Sequence, residues 1–277
     1  MTKLIFDTNV CGTLLTPAYE DDLADIKARI SRRFKIVISP QTLVELLDAL
    51  TKSDSSHFEL HKDRLRLMAG GGRPVFLMFP AAFALKRILG LNSPAVKFGP
   101  ADFEQWFRIV LRAKSRDEML QGFVTDPRGD PSQTYGLNPE EISRQQKVGK
   151  AEHKKRLQLL QASKHPMPSG IEWAKRLALD LGHRIAKEQA SRLYQGLDAA
   201  YRYDKELCRI ASRPNYNFDK HDGDWIDYHQ LFYLCDPQLC LLTDDKGLVR
   251  RVGDSPQKDR ILVMREYLTV LGFSLNQ

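Results

Sequence analysis

Five acidic residues lie at the ends of hydrophobic runs or among apolar neighbours, where their carboxylates could act together. Several carboxylates in one place repel one another unless a cation neutralises them, and sites made of oxygen ligands suit Mg²⁺ or Mn²⁺. Such an ion can lower the pKa of a bound water and stabilise charge on a phosphoryl group. The acids therefore predict a metal-dependent phosphodiesterase site. They are Asp7, Glu45, Asp224, Asp227 and Asp245.

The order of these acids along the chain indicates how a fold could gather them. Asp7 ends the run LIFD and Asp245 comes soon after the run LCLLT, so both are expected at the carboxyl ends of strands. In an open α/β sheet, ligands bind in the crevice at those ends, where helices also begin. Asp224 and Asp227 are three residues apart and share one face at the start of a helix. Any one of these acids could equally be a turn former or a helix cap, so the interpretation depends on the set.

Five short hydrophobic runs are typical of strands buried on both faces, as in a parallel sheet between helices. Stretches with apolar residues at helical spacing separate them, for example SPQTLVELLDAL, in which Ser39 is expected to cap the helix and Pro40 to begin it. We therefore predict an α/β fold, a three-layer α/β/α sandwich around a parallel sheet of about five strands. The runs are KLIFD (3–7), KIVIS (35–39), VFLMF (75–79), LCLLT (239–243) and RILVM (260–264).

The middle of the chain lacks such runs and is predicted to be helical. We assign residues 1–80 and 215–277 to the α/β core, and residues 81–214 to a large α-helical insertion or subdomain. Residues 143–213 hold 16 Lys and Arg against 7 Asp and Glu, a surplus of 9 that exceeds the net charge of +7 of the whole chain. A block of this kind is either a polyanion-binding face or an ordinary solvated helical surface.

Four motifs, taken in order, resemble those of the PIN-domain nucleases. In chain order, the motifs correspond to a predicted strand that ends in DTN, a helix with an internal Glu after the second strand, a helix with an Asp, and a strand that ends in T-x-D. Asp227 precedes Asp245 by 18 residues, which looks like the interval of that family and favours Asp227 over Asp224 as the matching residue. The resemblance covers residues 1–80 and 215–277. The motifs are LIFDTNV, SPQTLVELL, DWIDYHQLFYL and LCLLTDDKGL.

The resemblance implies a PIN-like fold, a Mg²⁺ or Mn²⁺ site, and cleavage of single-stranded RNA by a metal-activated water, which is the activity of an endoribonuclease. The catalytic acids that would hold the ion are Asp7, Glu45, Asp227 and Asp245. Asp224 is a further candidate metal ligand because it shares the helix start with Asp227, not because of the resemblance. The residues that would orient the carboxylates by hydrogen bonds are Asn9 and Thr243. Apart from the resemblance, three basic residues follow the last acid and could contact the substrate backbone, or could equally be solvated residues that balance the acidic site: Lys246, Arg250 and Arg251.

The chain also departs from the family. Typical PIN domains are much shorter than 277 residues, and the helical segment has no counterpart among them. The pairing of small PIN toxins with an antitoxin is therefore not carried over to this chain. The segment could bind RNA, pair two copies of the chain as a homodimer, or contact a regulatory protein.

Two other classes of protein stay open at this point. One is a non-catalytic PIN-like scaffold that binds RNA or a protein through the basic insertion. The other is a Mg²⁺ phosphotransfer enzyme resembling the haloacid dehalogenases, whose chains also start with a strand and an Asp. The second class is disfavoured because it has another Asp two residues after the first, where this chain has Asn9.

The overall composition fits a globular protein, with 42% hydrophobic and 28% charged residues. No run approaches the roughly 18 apolar residues of a membrane span, and the N-terminus does not resemble a secretory signal. The four cysteines show no metal-binding spacing and are expected to be reduced. We therefore expect a cytoplasmic protein that does not bind membranes.

Overall fold

The computed structural model describes residues 1–70, 73–94, 98–124, 139–163, 167–213, 216–217 and 223–273. Within these ranges four strands form one sheet, and each of the four coincides with a predicted hydrophobic run. The strands are β1 (Lys3–Phe6), β2 (Lys35–Val37), β3 (Leu239–Thr243) and β4 (Ile261–Val263). All neighbours are parallel, in the order β2-β1-β3-β4. The prediction of an α/β fold with a parallel sheet is confirmed.

The fifth predicted strand, residues 75–79, is reduced to a single parallel bridge between Ile38 and Phe76. The N–H of Ile38 donates to the carbonyl of Val75 at 2.8 Å, and the N–H of Leu77 donates to the carbonyl of Ile38 at 3.0 Å. The ladder ends there because Pro40 follows at once, has no N–H and begins a helix. Within the described residues the sheet therefore has four strands and an edge bridge.

Helices account for most of the other described residues. They are α1 (Thr8–Leu14), α2 (Leu23–Arg33), α3 (Pro40–Lys52), α4 (Ser55–Met68), α5 (Pro80–Leu89), α6 (Pro100–Arg112), α7 (Arg116–Val124), α8 (Pro139–Ser163), α9 (Gly170–Asp180), α10 (Lys187–Gly196), α11 (Asp198–Ala211), α12 (Asp224–Gln230), α13 (Lys246–Val252) and α14 (Met264–Val270). Short 3₁₀ turns occupy Pro17–Tyr19, Leu231–Cys235 and Lys258–Arg260. As predicted, the Ser39 hydroxyl caps α3, where it accepts from the N–H of Gln41 at 3.1 Å.

Helices cover both faces of the sheet, which explains why the strand runs are apolar throughout rather than alternating. Leu4 of β1 packs into one hydrophobic core and Ile5, its neighbour, into the other. The same alternation places Leu242 of β3 in the first core and Leu241 in the second. Side chains on successive residues point to opposite faces, so each strand contributes to both cores.

Helices from residues 81–214 pack on both faces as well. Phe103 of α6 and Met119 of α7 are fully buried in the first core, whereas Leu193 of α10 and Tyr203 of α11 are fully buried in the second. This segment therefore stabilises the same two cores as the sheet. None of the described helices combines the length and hydropathy required to cross a bilayer.

Candidate active site

The carboxyl ends of β1 and β3 lie side by side at the centre of the sheet. The chain leaves β1 toward β2 on one side and leaves β3 toward β4 on the other, so the strand order reverses between these two strands. A reversal of this kind opens a crevice between the helices that follow the two strands, and ligands of α/β proteins bind there. Asp7 follows β1 directly, and Asp245 comes two residues after β3.

Asp7 is buried, with 3% of its surface exposed. Its backbone N–H donates to the carbonyl of Leu242 at 2.9 Å, which continues the β1–β3 ladder, and α1 begins at Thr8. Burial raises the pKa of Asp7 above its ordinary value, while a hydrogen bond from Thr243 opposes the rise. The polar residues after the first strand thus begin a helix, and the carboxyl group before them stays inside the protein.

Thr243, the last residue of β3, joins the two strand ends. Its hydroxyl donates to Asp7 Oδ2 at 3.0 Å and accepts from the backbone N–H of Asp245 at 3.0 Å. The carboxylate of Asp245 then caps α13 by accepting from the N–H of Gly247 at 2.6 Å. Asp245, and not the preceding Asp244, is therefore the residue that starts this helix.

Asp227 of α12 faces the same crevice. Burial raises its pKa well above the ordinary value, and the charges of Asp7, Asp245, Asp224 and Glu45 raise it further, in that order of effect. The phenol of Tyr203 lies 3.5 Å from Asp227 Oδ2. The fold therefore brings all five predicted acids close enough for Asp227 to be influenced by the other four.

Asp224 is paired with a cation, Arg251. Arg251 Nη1 donates to Asp224 Oδ1 at 2.7 Å, and the phenol of Tyr216 donates to its Oδ2 at 3.0 Å. Arg251 also donates to the Tyr203 hydroxyl at 2.9 Å. Arg251, which the sequence assigns to the substrate, is thus half-buried against the protein's own carboxylate.

Glu45 projects from α3 toward the start of α1. Its Oε2 accepts from the hydroxyl of Thr8 at 2.5 Å. Thr8 follows Asp7 directly, so this bond brings Glu45 to the carboxyl end of β1. Asn9, by contrast, is exposed, and its side-chain amide makes no hydrogen bond within the described part of the chain. Lys246 and Arg250 are exposed on α13.

Sequence reasoning missed three members of this arrangement. Thr8 could have been found, because it belongs to the first motif and follows Asp7 directly. Tyr203 and Tyr216 could not, since no spacing relates them to the acids they contact. Tyr203 is fully buried and touches Asp224, Asp227 and Arg251, so it links the helical segment to the acidic group.

Each carboxyl group is held by a different partner. Among the residues that the structure describes, no three acidic, histidine or cysteine side chains converge on one point as a metal-binding group. The hydrogen bonds from Thr8, Gly247 and Arg251 give the physical reason, because each turns a carboxylate oxygen toward its own donor. No protein-family model matches the chain, and no curated protein or solved structure matches it.

Proposed function

We propose that the chain is a metal-dependent phosphodiesterase with a PIN-like three-layer α/β/α fold, and that it acts as an endoribonuclease on single-stranded RNA. The observation that carries the proposal is the environment of Asp227. Its carboxyl group is buried between Asp7, Asp245, Asp224 and Glu45, and its pKa is raised by burial and then by the charges of these four carboxylates. A buried group of acids with this electrostatic balance costs folding free energy, and a divalent cation would remove that cost.

The chemistry of the donor set fits Mg²⁺ or Mn²⁺. All the proposed donors are carboxylate oxygens, the ligands that these ions prefer. We assign the ion to Asp7, Glu45, Asp227 and Asp245. Asp224 is left out because Arg251 already neutralises it. When bound, the ion would lower the pKa of a water and offset charge on the phosphoryl oxygens.

The protein's own residues would prepare this site. Thr243 would fix the carboxylate of Asp7 and the backbone of Asp245 before any ligand arrives. Glu45 and Asp245 would have to turn away from Thr8 and Gly247 to share one ion. The burial of Asp7 would exclude water from one side of the reacting phosphate.

RNA as substrate is supported by the charge distribution. Residues 143–213 carry the basic surplus, and α11, which lies within that range, contacts Asp227 through Tyr203. Phosphate contacts from such a surface are independent of sequence and weaken with salt. The four free cysteines, Cys11, Cys208, Cys235 and Cys240, fit the reducing cytoplasm in which we place the protein.

The test compares Asp7→Asn and Asp227→Asn with the wild-type protein in cleavage of labelled single-stranded RNA with Mn²⁺. Both variants should lose Mn²⁺ binding in calorimetry and cleave at least about a hundredfold more slowly. Asp259→Asn is the matched control, because it removes the same charge just before the amino end of β4. The proposed site lies at the carboxyl ends of the strands, on the opposite side. Wild-type rates in both folded variants would refute the proposal.

One observation favours a second function, a non-catalytic scaffold that binds RNA or a protein. Among the described residues, no three carboxylates converge on one metal position. That arrangement is also expected of a scaffold protein that does not bind an ion. The same assay separates the two functions. A scaffold would bind the RNA, would not bind Mn²⁺ in calorimetry, and would leave the RNA intact.

A further inference from the structure

A cavity of about 710 Å³ opens between α10, α11 and α13, next to the acidic group. Its volume lies in the range of sites that hold a small organic ligand. Arg251 belongs to its lining and also donates to Asp224, so this side chain connects the cavity to one of the carboxylates. We refer to it as the basic cavity.

The lining of the basic cavity is strongly positive. Five cations and one anion contribute to it: Arg202, Lys205, Arg209, Arg250 and Arg251, and Glu206. Three of the cations have carboxylate partners, because Arg202 pairs with Asp198, Arg209 with Glu206, and Arg251 with Asp224. The other two, Lys205 and Arg250, are exposed and make no ion pair or hydrogen bond within the described residues. Two free cations facing one cavity suit a ligand that carries phosphate.

The opposite wall of the cavity is aromatic and rigid. Tyr194 and Tyr201 meet edge to face, with ring centroids 5.0 Å apart. The Tyr201 hydroxyl donates to the carbonyl of Pro168 at 3.1 Å, which fixes its ring. The ring of Tyr194 lies against the backbone of Gly170, where a Cβ would come within 2.4 Å of it. An aromatic ring held in this way offers a surface on which a base can stack.

We propose that the basic cavity is a nucleotide subsite for single-stranded RNA, with the backbone phosphates on Lys205 and Arg250 and one base against Tyr194. This inference rests on the proposed function, since it names the place where the strand would be held beside the carboxylates. The subsite joins the helical segment to the core, because Lys205 belongs to α11 and Arg250 to α13. The subsite also gives Arg251 a role, that of separating the strand's phosphates from Asp224.

The first experiment measures binding without cleavage. Fluorescence anisotropy of a labelled single-stranded RNA is recorded in EDTA over a range of salt concentrations. For the double variant Lys205→Ala/Arg250→Ala, the slope of log affinity against log salt should fall in magnitude by about 1.4, since each single-strand phosphate contact contributes about 0.7. The matched control Lys114→Ala/Arg116→Ala removes two exposed charges beside α7, which packs in the other core, and should keep the wild-type slope.

The second experiment tests the aromatic wall. Tyr194→Leu keeps an apolar side chain against Gly170 and removes the stacking face, so RNA affinity should fall by about fivefold or more. Tyr194→Phe keeps the ring and should bind as the wild type does. A wild-type slope and affinity in the double variant and in Tyr194→Leu would overturn the subsite.

A free mononucleotide carries the same chemistry and serves as the competing ligand. We expect uridine monophosphate to displace the RNA only at concentrations far above the dissociation constant of the RNA, because it makes fewer contacts. Tighter binding of the mononucleotide than of the RNA would overturn the RNA subsite in favour of a small-molecule site. All these measurements are made in EDTA, so the outcome does not depend on whether the protein cleaves. Loss of cleavage in Asp7→Asn tests the proposed function separately.

Discussion

Replacing Thr243 by valine should destabilise the fold although the two side chains have nearly the same shape. Thr243 is fully buried, and its hydroxyl bridges the carboxylate of Asp7 and the N–H of Asp245. A hydrogen bond to a charged group contributes about 1.5 to 3 kcal/mol, and an unpaired, partly buried N–H costs about 1 kcal/mol. The free energy of unfolding should therefore fall by about 2 to 4 kcal/mol.

The loss should also depend on pH, with a sign set by Asp7. The pKa of Asp7 is raised in the folded protein, so its ionisation lowers stability as pH rises above the ordinary value of 3.8. The bond from Thr243 opposes that rise, and valine removes the opposition. The difference between wild type and variant should accordingly be largest near neutral pH and shrink toward the ordinary value.

Urea denaturation followed by circular dichroism, in EDTA and at several pH values, measures both effects. Thr243→Ser keeps the hydroxyl and should lose only about 1 kcal/mol for the buried methyl. Thr269→Val removes an exposed hydroxyl that donates to the carbonyl of Arg265 at 3.0 Å, and should change stability by less than about 0.5 kcal/mol. If Thr243→Val is as stable as Thr269→Val at neutral pH, the bridge does not hold the site as described.

Three further changes test other parts of the molecule. Asp227→Asn should raise the melting temperature in EDTA by an amount that grows with pH, because burial and four carboxylates disfavour the ionised form of Asp227, and added Mn²⁺ should stabilise only the wild type. Asp204→Asn should cost about 1.5 to 3 kcal/mol in urea denaturation, since the fully buried Asp204 pairs with the partly exposed Arg156 and accepts from the indole of Trp173 at 3.3 Å. Gly170→Ala should cost about 1 to 3 kcal/mol in the same assay, because its Cβ would approach the Tyr194 ring to 2.4 Å.

The strands and the places of the strand-end acids could be predicted because they depend on local signals. A continuous apolar run that stops at a carboxylate determines both the strand and the edge of the sheet, and Asp7 and Asp245 are found there. The run at residues 75–79 has the same composition, yet it forms a single bridge. Its pairing is limited by Pro40, which begins a helix soon after β2. The limit therefore comes from the neighbouring segment and not from the run itself.

Contacts between distant helices could not be predicted in the same way. Hydrophobic periodicity indicates which face of α11 is buried but not what covers it. Arg251 reaches Tyr203 across 48 residues of sequence and Asp224 across 27. The pairing of a predicted substrate cation with a predicted metal ligand therefore emerged only from the packing of α11, α12 and α13.

The central position of β1 has a consequence for synthesis of the chain. β1 can pair with β2 as soon as both have left the ribosome, but its other edge is completed only by β3, and Thr243 is 236 residues from Asp7. Until then the nascent chain carries an open strand edge, which invites pairing with other chains. Asp7 and Glu45 likewise cannot meet Asp227 and Asp245 until the last part of the chain has been synthesised. If the chain is the proposed nuclease, it could not cleave its own messenger RNA until β3 and the residues that follow it have been synthesised.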